Sequence, residues 1–219
     1  MNDTNSGALR RCTVALVMTV AGLATSAVIA EEPEWLGGEA RLEVSSSTFS
    51  NDGPLPDSVI YNFISNGANI CTANGAVGGD QSPQLSWRRV PPNTRSFVVI
   101  LYDPTASFTH WGMYNIAAHT RALPMNAGVA ASSFGTQVTN DFGDQSYDGP
   151  CPPAGVAPDA HHYVFTVYAL DTELHLNVPV NFPANAETLY HALIHAARDG
   201  HVLASGRIGT FYSATPSPN

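Results

Sequence analysis

The sequence contains no lysine, so its permanently cationic side chains are its nine arginines. Against 18 Asp and Glu residues, they leave a formal net charge of −9 at pH 7. Nucleic acids and anionic membrane surfaces are bound through clusters of Lys and Arg that neutralise phosphate groups. A lysine-free, acidic chain therefore argues against binding to nucleic acid or to an anionic bilayer.

Signatures of common catalytic and metal-binding sites are also absent. The three cysteines form no C-x-x-C motif, which argues against a cysteine-ligated metal ion. There is no G-x-S-x-G motif, and the segment Ala204–Gly206 lies among predicted strand residues without a neighbouring base. We therefore predict that the protein is not an enzyme and that it holds no metal ion and no cofactor.

One alternative stays open on a predicted helix near the C-terminus. Glu187, His191 and His195 follow one another at intervals of one helical turn, and histidines at i and i+4 can chelate a metal ion. A metal-dependent hydrolase is the corresponding hypothesis. The other interpretation is a solvated helix face.

The N-terminal residues have the pattern of a secretory signal peptide. Arg10 and Arg11 precede the uncharged segment 12–30, which ends in small residues and is followed by Glu31. We predict cleavage after Ala30. Removal of residues 1–30 takes away one acidic residue and two arginines, so the net charge moves from −9 to −10. The predicted location is the periplasm or the medium, with no stable membrane insertion after cleavage; an uncleaved membrane anchor is the alternative.

Two cysteines, Cys71 and Cys151, remain after the predicted cleavage. Disulfides form and persist in the oxidising compartments that exported proteins reach, so the pair is a candidate disulfide. Two reduced thiols that lie far apart are the alternative.

The sequence pattern predicts β-strands over most of the chain. Apolar, aromatic and β-branched residues alternate with polar ones between Pro-, Gly- and Asn-rich turns. No alternation of strands with helices is visible. This pattern predicts a mainly β fold, a two-sheet antiparallel β-sandwich with one or two short helices. The predicted strands are Arg41–Ser45, Ser96–Tyr102, His110–Ile116, Tyr163–Leu170, His201–Ala204 and Gly206–Tyr212.

The predicted helix spans Ala186–Asp199, where Asn185 can cap its start and Gly200 can end it. No repeat or linker divides the chain. We predict one domain over residues 31–212 and a flexible tail over residues 213–219.

Polar residues at three predicted strand ends are the candidate binding site. Asp103 ends one apolar strand, His110 opens the next, and His161 and Tyr163 share one face of a third. The proline-rich loop Gly149–Pro153 comes shortly before that third strand and can present preorganised backbone donors. Such a set suits a small anion such as phosphate. For each residue alone, the alternative is an ordinary hydrogen-bonded side chain at the rim of the core.

The order of several motifs resembles that of the phosphatidylethanolamine-binding protein family, in particular its bacterial, Raf-kinase-inhibitor-like branch. The resemblance extends from about Arg41 to Tyr212. It is carried by Ser82–Trp87, Asp103-Pro104, His110-Trp111 with Tyr114–Ile116, Asn140–Gly143, Gly149–Pro153, His161–Asp171, His201–Ala204 and Gly209–Phe211.

The resemblance implies a two-sheet sandwich with a small anion-binding pocket at one end. It assigns Asp103, His110, His161 and Tyr163 as the pocket side chains and Gly149, Cys151 and Pro153 as the lining loop. The candidate disulfide between Cys71 and Cys151 would pin this loop to the N-terminal segment. The chain departs from the family pattern D-P-D-x-P at Asp103–Ser107, which indicates a trimmed pocket wall.

Two functional hypotheses follow from the resemblance. The first is an exported binding protein for phosphate or a phosphorylated head group, which regulates a partner protein. The second is a protease or kinase inhibitor that acts through a surface loop, with the pocket incidental.

Overall fold

A computed structural model of the chain describes residues 40–179 and 182–216, and the predicted signal peptide lies outside them. Within these residues, the chain forms eleven strands and one α-helix. A 3-10 turn spans Asp57–Val59. The elements are β1 (Ala40–Arg41), β2 (Glu43–Ser45), β3 (Ile64–Ser65), β4 (Ala68–Asn69), β5 (Leu85–Arg88), β6 (Ser96–Asp103), β7 (Phe108–Ala117), β8 (Ala122–Leu123), β9 (Thr136–Gln137), β10 (His161–Leu170), α1 (Ala186–Arg198) and β11 (Val202–Tyr212).

The larger sheet has six strands in the order β1-β11-β10-β6-β7-β9. All its neighbours pair antiparallel except β1 and β11, which run parallel. A second sheet has the order β2-β5-β8, and β3 with β4 forms a separate hairpin. The predicted mainly β, two-sheet sandwich is confirmed.

The first predicted strand, Arg41–Ser45, is two strands that belong to different sheets. Arg41 ends β1 in the six-stranded sheet, and Glu43 begins β2 in the three-stranded sheet. Between them Leu42 is buried, and its N–H donates to the carbonyl oxygen of Ser205. Conversely, the two strands predicted at the C-terminus form the single strand β11.

Alternation of side chains along the strands builds two cores. Tyr163, Phe165 and Val167 lie on the face of β10 that packs between the sheets, as predicted. Burying large apolar side chains on this face is the main favourable term of folding. On the other face, Tyr168 and Leu170 belong to the core that α1 covers.

Helix α1 begins and ends where its capping residues predict. The side chain of Asn185 accepts from the N–H of Thr188, whose hydroxyl in turn accepts from the N–H of Asn185, a reciprocal capping box. Gly200 follows the helix with a φ of +79°, a conformation that glycine adopts without strain. Leu189 and Leu193 are buried against the sheet.

The residues of the metal hypothesis, Glu187, His191 and His195, lie on the exposed face of α1. Over residues 40–179 and 182–216, no group of three or more His, Cys, Asp or Glu side chains is placed to hold a metal ion. No helix in these ranges has the length and apolar character needed to cross a membrane.

The first residues of the predicted flexible tail contact the domain. Ser213 donates to Asp159 at 2.5 Å, Ala214 is buried, and the hydroxyl of Thr215 also donates to Asp159. These contacts hold the chain as far as Thr215. Residues 217–219 lie outside the described residues.

Candidate functional site

The antiparallel register brings the predicted site residues to one edge of the larger sheet. Asp103 is the last residue of β6 and pairs with Phe108, the first residue of β7. His161 is the first residue of β10 and pairs with Tyr212, the last residue of β11. The ends of four neighbouring strands therefore meet at this edge.

Asp103 and His161 form a buried pair. The Nδ1 atom of His161 lies 2.6 Å from Oδ2 of Asp103. The other carboxyl oxygen of Asp103 accepts the N–H groups of Thr105 and Ala106, at 2.8 and 3.2 Å. Asp103 thus closes its own turn and fixes the orientation of the His161 ring.

The short turn from β6 to β7 has its own internal anchor. Thr105 stands where the family pattern has a second carboxylate, and its hydroxyl accepts the N–H of His162 at 3.0 Å. Ser107 completes the turn with a φ of +54°. The departure from the family pattern therefore leaves a compact turn that is tied to the start of β10.

His110 is held by the proline-rich loop. Its Nδ1 atom lies 3.0 and 3.1 Å from the carbonyl oxygens of Asp148 and Gly149. Carbonyl oxygens only accept hydrogen bonds, so Nδ1 carries the proton, and Nε2 of the neutral ring is an acceptor. Burial lowers the pKa of His110 to about 4, against the opposing effect of Asp103. The ring is therefore neutral at neutral pH.

Tyr163 connects the loop with both histidines. Its ring packs edge-on against His110, with 5.2 Å between centroids, and is stacked on His161 at 6.4 Å. The backbone of Cys151 lies near its hydroxyl. Burial raises the pKa of Tyr163, so the phenol stays protonated and its O–H remains a donor. The four predicted side chains thus lie in one cluster.

The loop Gly149–Pro153 lies close to an N-terminal segment. A Cβ atom on Gly149 would come 2.1 Å from the carbonyl oxygen of Val59, so no side chain fits there. Cys151 forms a disulfide with Cys71, the candidate pair predicted from the two cysteines that remain after signal cleavage. Of the three predicted lining residues, Gly149 is buried, Cys151 is half-buried and Pro153 is exposed.

Asn140 connects most parts of the site, and sequence reasoning did not assign it a role. Its side-chain Nδ2 donates to the carbonyl oxygens of His110 and Ser146 and to Oδ2 of Asp148, at 3.2, 3.1 and 2.7 Å. Its Oδ1 accepts the N–H groups of Phe142, Gly143 and Asp144. The motif Asn140–Gly143 was the only sequence signal for this position.

An aromatic cluster flanks His110. Phe108 and Phe142 pack against the imidazole with centroid distances of 4.9 and 5.4 Å. Tyr61 stacks on Phe142 at 4.8 Å and donates its N–H to the carbonyl oxygen of Pro150. These rings exclude water from His110, which explains how a histidine near the protein surface stays buried.

Two carboxyl groups, those of Asp80 and Asp148, lie next to the start of the loop Gly149–Pro153. Oδ1 of Asp80 accepts the N–H of Gly149 at 2.8 Å. Burial, helped by the neighbouring charges of Asp148 and Asp144, raises the pKa of Asp80 to about 6, although the hydrogen bond from Gly149 lowers it. Burial also raises the pKa of Asp148.

Replacing Asp80 by Asn is expected to stabilise the protein at pH 7–8. The amide oxygen still accepts the N–H of Gly149, while the buried negative charge is removed. Because the folded-state pKa of Asp80 is about 6, against 3.8 when unfolded, the folded protein binds its proton more tightly. The wild type therefore loses stability as pH rises from about 4 through about 6. We expect a gain of roughly 0.5–1 kcal/mol above this window, after allowance for solvent screening.

Urea unfolding of the wild type and the Asp80→Asn variant, measured from pH 4 to 8 at constant ionic strength, checks this expectation. Subtracting the wild-type free energy of unfolding from that of the variant at each pH removes the contributions of the other titrating groups. A difference that does not change with pH would contradict it.

A β-sandwich with buried polar side chains gathered at one sheet edge has the architecture of a binding protein. Comparison with known proteins identifies its family. The family model described as phosphatidylethanolamine-binding protein matches residues 45–213. The chain belongs to this family, and the resemblance inferred from its motifs is confirmed.

Relatives in bacteria and archaea are similar over most of the domain. The UPF0098 protein YbcL of Escherichia coli K12 is 39% identical over 136 residues, which cover 56% of this chain and 72% of YbcL. The UPF0098 protein PH1269 of Pyrococcus horikoshii is 32% identical over 183 residues, which cover 80% of this chain and 79% of that protein.

A crystal structure of E. coli YbcL, described as a new member of the mammalian PEBP family, matches with a TM-score of 0.63. The match has 31% sequence identity and covers 80% of this chain and 99% of YbcL.

Proposed function

We propose that this protein is an exported binding protein that holds a small phosphate-bearing ligand among Asp103, His110, His161 and Tyr163. One observation carries the proposal: these four polar side chains are buried together, and hydrogen bonds and ring contacts fix them before any ligand arrives. Side chains that need no reordering lower the entropic cost of binding.

Export is part of the proposal. Its supports are the signal-peptide pattern of residues 1–30 and the disulfide between Cys71 and Cys151, a bond that persists in oxidising compartments. Mass spectrometry of protein recovered from the periplasm or the medium tests it. A mature chain that starts at Glu31 is expected, and retention in the cytoplasm with an intact N-terminus would refute it.

A thermal-shift titration with inorganic phosphate and with phosphoethanolamine tests the binding site. A ligand that binds only the folded state stabilises it by about 2.7 kcal/mol at a concentration of 100 times Kd. For a domain of this size we expect a rise in Tm of roughly 5–10 °C. In the His110→Ala variant the rise should disappear, because the cluster loses the ring at its centre.

The matched control is His191→Ala, which removes an exposed histidine on α1. It should keep the full rise in Tm. Each variant is compared with its own ligand-free Tm, so that a change in basal stability does not count as a change in binding. If His110→Ala and the wild type respond equally, this cluster is not the ligand site.

A second candidate function is inhibition of a protein partner through a surface loop. The observation that favours it is the β3–β4 hairpin, where Phe63, Ile64 and Ile70 are exposed. Large apolar side chains gathered on a surface are typical of protein interaction sites. A Phe63→Ser, Ile70→Ser variant separates the two functions, since it should lose a protein partner and keep the response to phosphate.

A further inference from the structure

A surface cavity lies at the opposite end of the larger sheet. It has a volume of about 490 Å³ and opens where β6 begins, where β7 ends and where the chain leaves β10. Its lining residues are Thr94, Arg95, Ala118, Thr172, Glu173 and His175. The length of β6, from Ser96 to Asp103, separates the cavity from the buried cluster around His161. Small-molecule sites in proteins have volumes of roughly 300–1,000 Å³, so a small ligand fits here.

Hydrogen bonds fix the two walls of this cavity relative to each other. The N–H of Arg95 donates to the carbonyl oxygen of Leu170 at 2.7 Å. The buried hydroxyl of Ser96 donates to the carbonyl oxygen of Thr172 at 2.5 Å. The backbone positions of Arg95 and of the segment that carries Glu173 are therefore set by the sheet itself.

Asn115 also holds the segment that follows β10. Its Nδ2 donates to the carbonyl oxygen of Leu174 at 3.0 Å, and its Oδ1 accepts the N–H of Leu174 at 2.8 Å. The side chain of Leu174 is buried in the core that α1 covers. Because Thr172 and Leu174 are both held, Glu173 extends from a fixed backbone.

Two opposite charges line the cavity without neutralising each other. Within residues 40–179 and 182–216, the guanidinium of Arg95 and the carboxylate of Glu173 form no ion pair and no hydrogen bond. Both side chains are exposed. Each therefore keeps its capacity to bind a group of opposite charge.

Other arginines of the protein have intramolecular partners. Arg88 and Arg89 lie 3.4 and 2.7 Å from the carboxyl oxygens of Glu43. Arg121 donates to the carbonyl oxygens of Ala118 and Thr120, at 2.6 and 2.9 Å. The unpaired state of Arg95 beside an unpaired carboxylate thus differs from the pattern elsewhere on the surface.

Two threonine hydroxyls add hydrogen-bond acceptors to the lining. The hydroxyl of Thr94 donates to the carbonyl oxygen of Pro91 at 2.8 Å, and that of Thr172 donates to the carbonyl oxygen of Glu173 at 3.2 Å. A hydroxyl that has donated its hydrogen can only accept further hydrogen bonds. An ammonium group has three N–H donors and no acceptor, so a carboxylate with two such hydroxyls is a suitable set of partners for it.

Arg95 supplies the partner for a negative group. Its planar guanidinium presents N–H donors in a fork that matches the two oxygens of a carboxylate. A ligand with a carboxylate alone would leave Glu173 unpaired beside it. The lining therefore favours a molecule that carries both charges.

We propose that this cavity binds a small zwitterion, a free amino acid or a short peptide, with its carboxylate on Arg95 and its ammonium group on Glu173 and the threonine hydroxyls. The site is separate from the phosphate site of the proposed function and does not depend on it. Because both charged side chains are exposed, solvent screens each ion pair, and we expect a Kd on the order of 1 mM.

Titration of the isotope-labelled protein, followed by the backbone amide signals in NMR spectra, tests the proposal. The probes are L-alanyl-L-alanine, its N-acetyl derivative, which lacks the ammonium group, and its C-terminal amide, which lacks the carboxylate. At about pH 6.5 and low ionic strength, the α-amino group is protonated and screening by salt is weak. We expect the free dipeptide to cause saturable shifts at the lining residues. Each blocked form should bind roughly three- to fivefold more weakly.

Two substitutions assign each charge of the ligand to its residue. In the Arg95→Gln variant, the free dipeptide and its C-terminal amide should bind equally, because the carboxylate has lost its partner. In the Glu173→Gln variant, the free dipeptide and its N-acetyl derivative should bind equally. Each comparison is a double-mutant cycle between protein and ligand, so general effects of the substitution on the cavity cancel.

The matched controls are Arg41→Gln and Glu187→Gln, which each remove one exposed charge away from the cavity. Arg41 lies in β1, which β11 and β10 separate from β6, and Glu187 lies in the first turn of α1. Both variants should keep the preference for the free dipeptide. All four substituted positions are exposed, so thermal unfolding should change little in any of these variants.

Three results would overturn the proposal. They are equal binding of the dipeptide and both blocked forms, shifts confined to residues outside the lining, and no saturable shift up to about 50 mM dipeptide. A parallel titration with L-alanine identifies the source of the zwitterion. Tighter binding of the dipeptide indicates a peptide ligand, and tighter binding of L-alanine indicates a free amino acid; either result supports the site.

Discussion

Replacing Asn140 by Asp is expected to lower the free energy of unfolding by roughly 3–5 kcal/mol at neutral pH. The Nδ2 atom of Asn140 donates to three acceptors, the carbonyl oxygens of His110 and Ser146 and a carboxyl oxygen of Asp148. A carboxylate oxygen in its place would meet three acceptors without a proton. It would also bring two buried carboxylates together, since Oδ2 of Asp148 is 2.7 Å away.

The same substitution is expected to abolish the response to phosphate. Asn140 holds the backbone of His110 and the side chain of Asp148, and the carbonyl oxygen of Asp148 holds the His110 ring. When Asp148 moves, one of the two bonds that orient His110 is lost. The introduced carboxyl group can donate one hydrogen bond when it is protonated, so part of the stability should return at acidic pH.

Urea unfolding at about pH 5 and about pH 7.5, together with the phosphate titration, measures both effects. Asn115→Asp is the matched control, because its Nδ2 and Oδ1 bond only the backbone of Leu174, away from the site. That variant should lose about 1 kcal/mol and keep the ligand response. Equal losses in the two variants would show that Asn140 is an ordinary buried amide.

The strand faces and the helix ends were predictable because they follow from local rules. Alternation along a strand placed Tyr163, Phe165 and Val167 on one face, and they are buried between the sheets. Asn185 and Gly200 predicted the helix ends through their capping chemistry, which depends on neighbours within one turn.

The supporting residues of the site were not predictable in this way. Asp80 bonds Gly149, a residue 69 positions away, and no local pattern marks either residue as a partner of the other. Asn140 sits in a loop, where side chains have no period from which a face can be inferred. The protonation pattern of His110 depends on two carbonyl positions that only the folded loop defines.

The break between β1 and β2 has a similar cause. The alternation of Arg41, Leu42 and Glu43 is the same whether the segment pairs with one neighbour or with two. Which sheet each residue joins depends on the partners β11 and β5, which come much later in the chain. Sequence patterns identify strands more reliably than they identify strand partners.

Replacing Cys71 and Cys151 together by Ala is expected to lower the free energy of unfolding by about 2–4 kcal/mol and Tm by roughly 6–12 °C. The disulfide joins residues 80 positions apart, so its removal frees a long loop in the unfolded chain. Alanine is chosen because Cys71 is fully buried and a serine hydroxyl there would need a partner.

The disulfide also positions the site. The double-Ala variant should therefore show two effects, a loss of stability and a weaker binding of phosphate. The backbone of Cys151 lies near the hydroxyl of Tyr163, and the hydroxyl of Tyr212 donates to the carbonyl oxygen of Cys71. Loss of the covalent link should therefore weaken phosphate binding at temperatures where the variant is still fully folded.

Thermal unfolding and calorimetric titration, each with and without a thiol reductant, distinguish this weaker binding from a loss of stability alone. Reductant should change the wild type and leave the double-Ala variant unaffected. If the variant is less stable but binds as tightly as the wild type, the loop is held in place by Asp80, Asn140 and its prolines, and the disulfide acts only on the unfolded chain.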